Sequence, residues 1–206
     1  MPRKKAKDTL DHLRPGECAQ LLRELLRRHR DLRREANEIA ASLVEDVSVD
    51  AVAAEVTSLV GSIGVEELGG RAGRHSWGYV GPSEAAWELL EESIEDVRAD
   101  MKRRFEIGMK PAAEKICLGI VLGLHVAGGT NSDGALEWTP DLPAEAAAWS
   151  PSILLDLCPS GQRRAAGERI IRGVEEHVED WVEMLQRVVG EAATKKRRKR
   201  RQRSDG

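Results

Sequence analysis

Eight of the nine residues at 195–203 are cationic: Lys195, Lys196, Arg197, Arg198, Lys199, Arg200, Arg201 and Arg203, with Gln202 between them. Side chains of that type at that density do electrostatic work. Five or six such charges set against phosphates make log K fall with log salt at a slope of roughly −4 to −5. The expected ligand of this tail is therefore nucleic acid or another polyanion, and an acidic protein is the competing one. Mutual repulsion predicts a run that is disordered, or at most a frayed end of the helix before it. Its first cations also suit a helix C-terminus, an effect that fades within one turn. In a eukaryotic cell the same run reads as a nuclear localisation signal.

A second set of chemically capable residues, Arg71, Arg74, His75, Trp77 and Tyr79, sits among five glycines between positions 68 and 83. Histidine is the usual general base, and Glu66 and Glu67 stand just upstream to orient it. No serine or cysteine occupies a nucleophile elbow, and no glycine-rich loop follows a strand. No catalytic residue is assigned. The structural alternative has Trp77 and Tyr79 capping the apolar end of a helix pair.

Metal and cofactor chemistry finds little purchase. Cys18, Cys117 and Cys158 are widely spaced, with no CxxC pair. His125 follows Cys117 by eight residues, about 12 Å along a helix and too far to share an ion. His177 lacks a HExxH-like partner. Asn131, Asp133 and Gly134 resemble part of a calcium loop, but Pro140 stands where its bidentate Glu belongs. His29 and His125 fall on apolar stripes and are expected to be packed or hydrogen-bonded in the core. No metal and no cofactor is expected.

Charge is strongly partitioned. Residues 1–7 carry +4 and residues 195–206 carry +7, which leaves 20 basic and 34 acidic residues between them, a net −14. The tail is one pole of a divided molecule. Acids near the last helix, Glu175, Glu176, Glu179 and Asp180, compete for it within a Debye length of about 8 Å. Three unpaired cysteines and an N-terminus without an apolar region after its charges point to the cytoplasm, or to the nucleus in a eukaryote. The longest apolar run, 116–127, holds His125 and two glycines and is too short to span a bilayer.

The elements that must position these residues are helical. The composition leans on Ala, Leu, Glu and Arg, and only 3% of residues are aromatic. Apolar residues recur at helical spacing in Cys18, Leu22, Leu25, Leu26 and His29, then in Leu32, Ala36, Ile39, Ala40 and Leu43. Val52, Val56, Leu59, Val60 and Ile63 form a third stripe, ending near Gly61 and Gly64. Trp87, Leu90, Ile94, Val97 and Met101 form a fourth. Residues 112–124 are apolar all round and belong at the centre of the core. Ser150 before Pro151 predicts the N-cap of a short helix ending near Leu157. Ile170, Val174, Val178, Trp181, Leu185 and Val188 predict one long final helix. Gly108 predicts a tight turn and an antiparallel hairpin. The stretches 68–83 and 126–143 read as loops, the second around Trp138.

Residues 18–124 carry "LLRELLRRHRDLRREANEIA" (21–40), "AVAAEVTSLVGSI" (51–63), the aromatic loop at Trp77 and Tyr79, and the helix pair 87–101 and 112–124. This half of the chain resembles the helical region beside the zinc module of bacterial SWIM zinc-finger proteins and their relatives. The second pair also looks like a tetratricopeptide-type hairpin, with Ala112 and Ala113 at its close crossing. The module's Cys-x-Cys and Cys-x-His ligands are absent, so its nucleic-acid role is not carried over. The resemblance implies a helical-hairpin array used for protein contacts.

The expectation is thus an all-α fold of six or seven helices, a hairpin array or irregular bundle. A basic arm (1–14) precedes a single helical domain (15–192), and a tail (193–206) follows it. The expected function is a non-enzymatic binding or scaffold module with a protein partner, and with a polyanion at the tail. The alternatives are a small enzyme or regulatory subunit using the 71–79 loop, and a structural homodimer joined through the helix of Trp181.

Overall fold

Where apolar side chains recur every three or four residues a helix can bury one face, and in this chain the stretches from residue 49 onward do so. The computed structural model describes residues 9–76, 78–130, 136 and 139–194. The tail cations Lys195 to Arg203, most of the basic arm, Trp77, Asn131, Asp133, Gly134 and Trp138 lie outside the described residues. Nine α-helices are present among the described residues, with one two-stranded antiparallel ribbon. The chain is all-α.

The chain separates into two units, Met1–Val44 and Glu45–Gly206. The first holds a 3-10 turn at Thr9–His12, then α1 (Pro15–Arg28) and α2 (Leu32–Glu45). Pro15 opens α1, and the Arg14 N–H donates to Glu17 Oε2 at 2.8 Å. Neither helix buries a residue, and the two do not pack side by side. His29 is exposed at the end of α1, contrary to its expected place in a core. The periodicity was real, but nothing in its own unit covers the face it defines.

The second unit holds the core. Its elements are α3 (Val49–Gly61), α4 (Val65–Arg71), β1 (Gly73–His75), β2 (Gly78–Val80), α5 (Pro82–Glu106), α6 (Lys110–Thr130), α7 (Leu142–Leu157), α8 (Ser160–Glu175) and α9 (Val182–Thr194). As its composition predicts, α6 is central and packs on α3, α5, α7 and α8. By length and composition it is apolar enough to cross a membrane, longer than the 116–127 run suggests, yet 61% of that stretch is buried inside the fold. Gly119 and Gly123, one turn apart, let α3 lie almost against the α6 backbone. A Cβ at Gly123 would stand 2.6 Å from the Ala53 carbonyl oxygen, and one at Gly119 would stand 2.6 Å from Val52 Cβ. The Thr57 hydroxyl donates across this contact to the Gly123 carbonyl at 3.1 Å. Gly108, at φ +90°, turns α5 into α6 as an antiparallel hairpin.

Three expectations about elements are corrected. The final helix is interrupted: α8 ends at Glu175, and a 3-10 turn at Glu179–Trp181 precedes α9, which then packs back on α8 and α7. Trp181 meets His125 edge-on at 4.8 Å, and Asp180 accepts from or pairs with His125 Nε2 at 3.0 Å, so these groups fix the break. Trp181 therefore lies between two helices and not on one long helix. Pro151 does not start a helix but lies inside α7, which begins with Pro143 in its first turn. An internal proline removes one N–H and pushes on the carbonyl one turn back. Beside it, buried Arg98 donates to the Ala146 carbonyl at 3.0 Å and to Ser150 Oγ at 3.3 Å, fastening α5 to α7, while it pairs with Glu91. Third, α6 runs on through Gly128 and Gly129, shortening the expected 126–143 loop.

Among the described residues, Arg163 is the other buried cation. It donates to the carbonyls of Cys158 (3.2 Å), Asp156 (3.4 Å) and Ala192 (3.4 Å), joining the C-terminal ends of α7 and α9. Arg163 serves carbonyls that helix ends leave open, whereas Arg98 adds a bond to a carbonyl inside α7.

Candidate functional site

The glycine-rich stretch expected as a loop is a short helix and a ribbon. Gly69 and Gly70 lie within α4, and Gly73 (φ +122°) and Gly78 (φ +153°) take backbone conformations that disfavour a side chain. The strands pair Gly73 with Val80, Arg74 with Tyr79, and His75 with Gly78. Residues two apart share a face of a strand. The ribbon therefore separates Arg71 and His75 from Arg74 and Tyr79. His75 lines a cleft with Arg71, whereas Arg74 and its cross-strand partner Tyr79 are exposed on the opposite face. Tyr79 is 70% exposed and does not cap a helix pair.

The cleft has a volume of about 920 Å³ and is open to solvent. Its apolar floor is Leu59 of α3, Ile63, Val80 of β2 and Leu89 of α5. Its polar wall is Glu67, Arg71, His75, Glu88, Glu92 and Ser93. The Arg71 guanidinium donates two bonds to the Glu92 carboxylate, at 2.7 and 2.8 Å, and reaches Glu88 at 3.5 Å. That fork holds α4 on α5. The Arg71 hydrogen bonds hold the Glu92 carboxyl below its ordinary range, and Glu92 in turn raises Arg71. The His75 ring is fixed by backbone: its Nε2–H donates to the Arg71 carbonyl at 2.7 Å, and a carbonyl can only accept. Three carboxylates against one guanidinium leave the wall with two net negative charges.

Sequence reasoning placed Arg71 and His75 correctly in one neighbourhood but missed Glu88, Glu92, Leu59 and Ile63. The one available signal was the acid pair at i, i+4 spacing on α5, which places both carboxylates on one helix face. Elsewhere, His177 Nδ1 bonds the Gly173 carbonyl at 3.0 Å. Cys117 is buried, and burial pushes its thiol up. Cys158 is likewise raised by burial, while Cys18 is exposed. Among the described residues no group of three or more His, Cys, Asp or Glu is placed to hold a metal.

These features define an all-α protein with an open cleft, apolar below and acidic at the rim. Comparison with known protein families, curated proteins and solved structures finds no match.

Proposed function

We propose that the chain is a non-enzymatic helical binding module whose cleft takes a protein partner, and whose tail, Lys195 to Arg203, contacts nucleic acid or another polyanion. The observation that carries the first part is the cleft's make-up, an apolar floor under three carboxylates. Its one guanidinium is already committed to Glu92. Such a surface suits a segment with apolar anchors and flanking Lys or Arg, because charge complementarity sets orientation while burial supplies affinity. The enzyme reading draws less support. His75 is tied to the Arg71 backbone, and Arg71 is spent on holding two helices together.

The cleft is tested with a fluorescent synthetic peptide of alternating Leu and Arg, followed by polarisation. Glu67 is exposed and lies outside the Arg71 fork, so Glu67→Lys leaves the fold intact and is expected to weaken binding about tenfold. Equal binding by both proteins refutes the cleft. The tail is tested by deleting residues 195–206. Retention on heparin or mixed-sequence DNA at low salt is expected to vanish, and unchanged retention refutes the tail.

A further inference from the structure

The seam formed by Cys18, Leu22, Leu25, His29, Leu32, Ala36, Ile39 and Leu43 alternates steps of four and three residues without a fault. That is a coiled-coil repeat of 3.5 residues. In the structure Leu22 (52%), Leu25 (40%), Leu32 (39%), Ile39 (55%) and Leu43 (72%) are all exposed, an unusual density of large apolar side chains for two short helices. The repeat also reads the same from either end. Its midpoint falls between His29 and Leu32, at the break between α1 and α2.

We infer that this face binds a second copy of the chain, antiparallel, with α1 of each copy packed on α2 of the other. In that register Cys18 meets the partner's Leu43, Leu22 the partner's Ile39, Leu25 the partner's Ala36, and His29 the partner's Leu32. Each layer sets a smaller group beside a larger one or two of similar size. The break at residues 29–31 lies on the two-fold axis, so neither pair of helices has to cross it.

Charge selects this arrangement. Arg28 and Glu35 flank the seam on the same side. Antiparallel pairing brings each Arg28 beside the partner's Glu35, twice per dimer. Arg28 spends its Nε on Glu24 at 2.7 Å, and its terminal nitrogens are directed by the register to the partner. Parallel pairing would set Arg28 against the partner's Arg33, a like-charge contact. Folding α1 back on its own α2 would use the same layers but needs a full reversal within three residues, and the helices are not side by side in the structure. This interface is independent of the cleft and of the tail.

The test uses the full chain, Cys18 and the Leu43→Cys substitution, oxidised with copper–phenanthroline and run on a non-reducing gel. Leu43 is exposed, so the change is expected to leave the circular dichroism unaltered. The antiparallel register joins Cys18 of one copy to the thiol introduced by Leu43→Cys in the other, giving a covalent dimer. Wild-type protein stays uncrosslinked, because its two Cys18 residues are about 37 Å apart along the helices. Sedimentation velocity should also show a reversible dimer, its Kd raised about tenfold by Glu35→Arg and restored when Arg28→Glu is added. An internally bridged monomer, a wild-type dimer linked through Cys18 itself, or a monomer at high concentration would each overturn the inference.

Discussion

Gly123→Ala probes a close approach of two backbones, where α6 lies against α3. A glycine-to-alanine change inside a helix normally stabilises by about 1 kcal/mol, through the lower entropy of the unfolded chain. At this position the added Cβ would stand 2.6 Å from the Ala53 carbonyl oxygen, 2.7 Å from Val56 Cβ and 3.0 Å from Val56 Cγ1. Relaxed carbon contacts lie at about 3.5–4.0 Å, so the helices must separate by most of an ångström. Two of the three obstructing atoms are backbone or Cβ, which cannot swing away. Overpacking of this kind costs about 1–3 kcal/mol. The shift also stretches the Thr57 bond to the Gly123 carbonyl, worth about 1 kcal/mol. Net destabilisation is about 1–3 kcal/mol, or roughly 2–12 °C in Tm for a chain of this size. Gly190→Ala in α9 is the control, since a Cβ there meets nothing within 4 Å. It should raise stability by about 0.5–1 kcal/mol. Urea and thermal melts followed by helical circular dichroism give both values. If Gly123→Ala melts with or above wild type, the close helix contact is not present as described.

Arg98→Leu leaves the Glu91 carboxylate without its buried partner, and should cost about 3–5 kcal/mol in a urea melt. Glu91→Leu combined with it should recover most of that loss, and a single variant within 1 kcal/mol of wild type would contradict the buried pair. Of the three cysteines, only Cys18 is exposed, so at dilutions that keep the chain monomeric a thiol reagent at pH 8 should modify one group per native chain and three in denaturant. Rapid native modification of Cys117, whose thiol burial pushes up, would show that α6 is not at the core.

How far the sequence carried depended on what each signal reported. Apolar spacing and Gly108 sufficed for the α5–α6 hairpin, because a buried stripe and a positive-φ turn are local properties. Helix α4 escaped notice because Gly69 and Gly70 discourage a helix that the Arg71 fork to Glu92 and Glu88 then secures, across 17–21 residues of chain. Pro151 was misread for a similar reason. The helix that continues through it is held by burial of Ala147, Ser150, Pro151 and Leu154, which no local signal reports. The break at Trp181 depends on His125, and the cleft assembles residues spread from 59 to 93. Each miss is a local preference overruled by a distant partner.

Arg163 has a mechanical consequence. Its guanidinium holds the last turn of α9 through the Ala192 carbonyl and the end of α7 through Asp156 and Cys158. Tension arriving from residue 195 onward is thus shared between two helices instead of unzipping one. The clip lies two residues from the end of α9, so it meets a pull early and must give way before the α9 core residues Val189 and Leu185 are drawn from their seats. Any partner that tugs on the cationic end is resisted by the body of the fold, with Arg163 as the coupling.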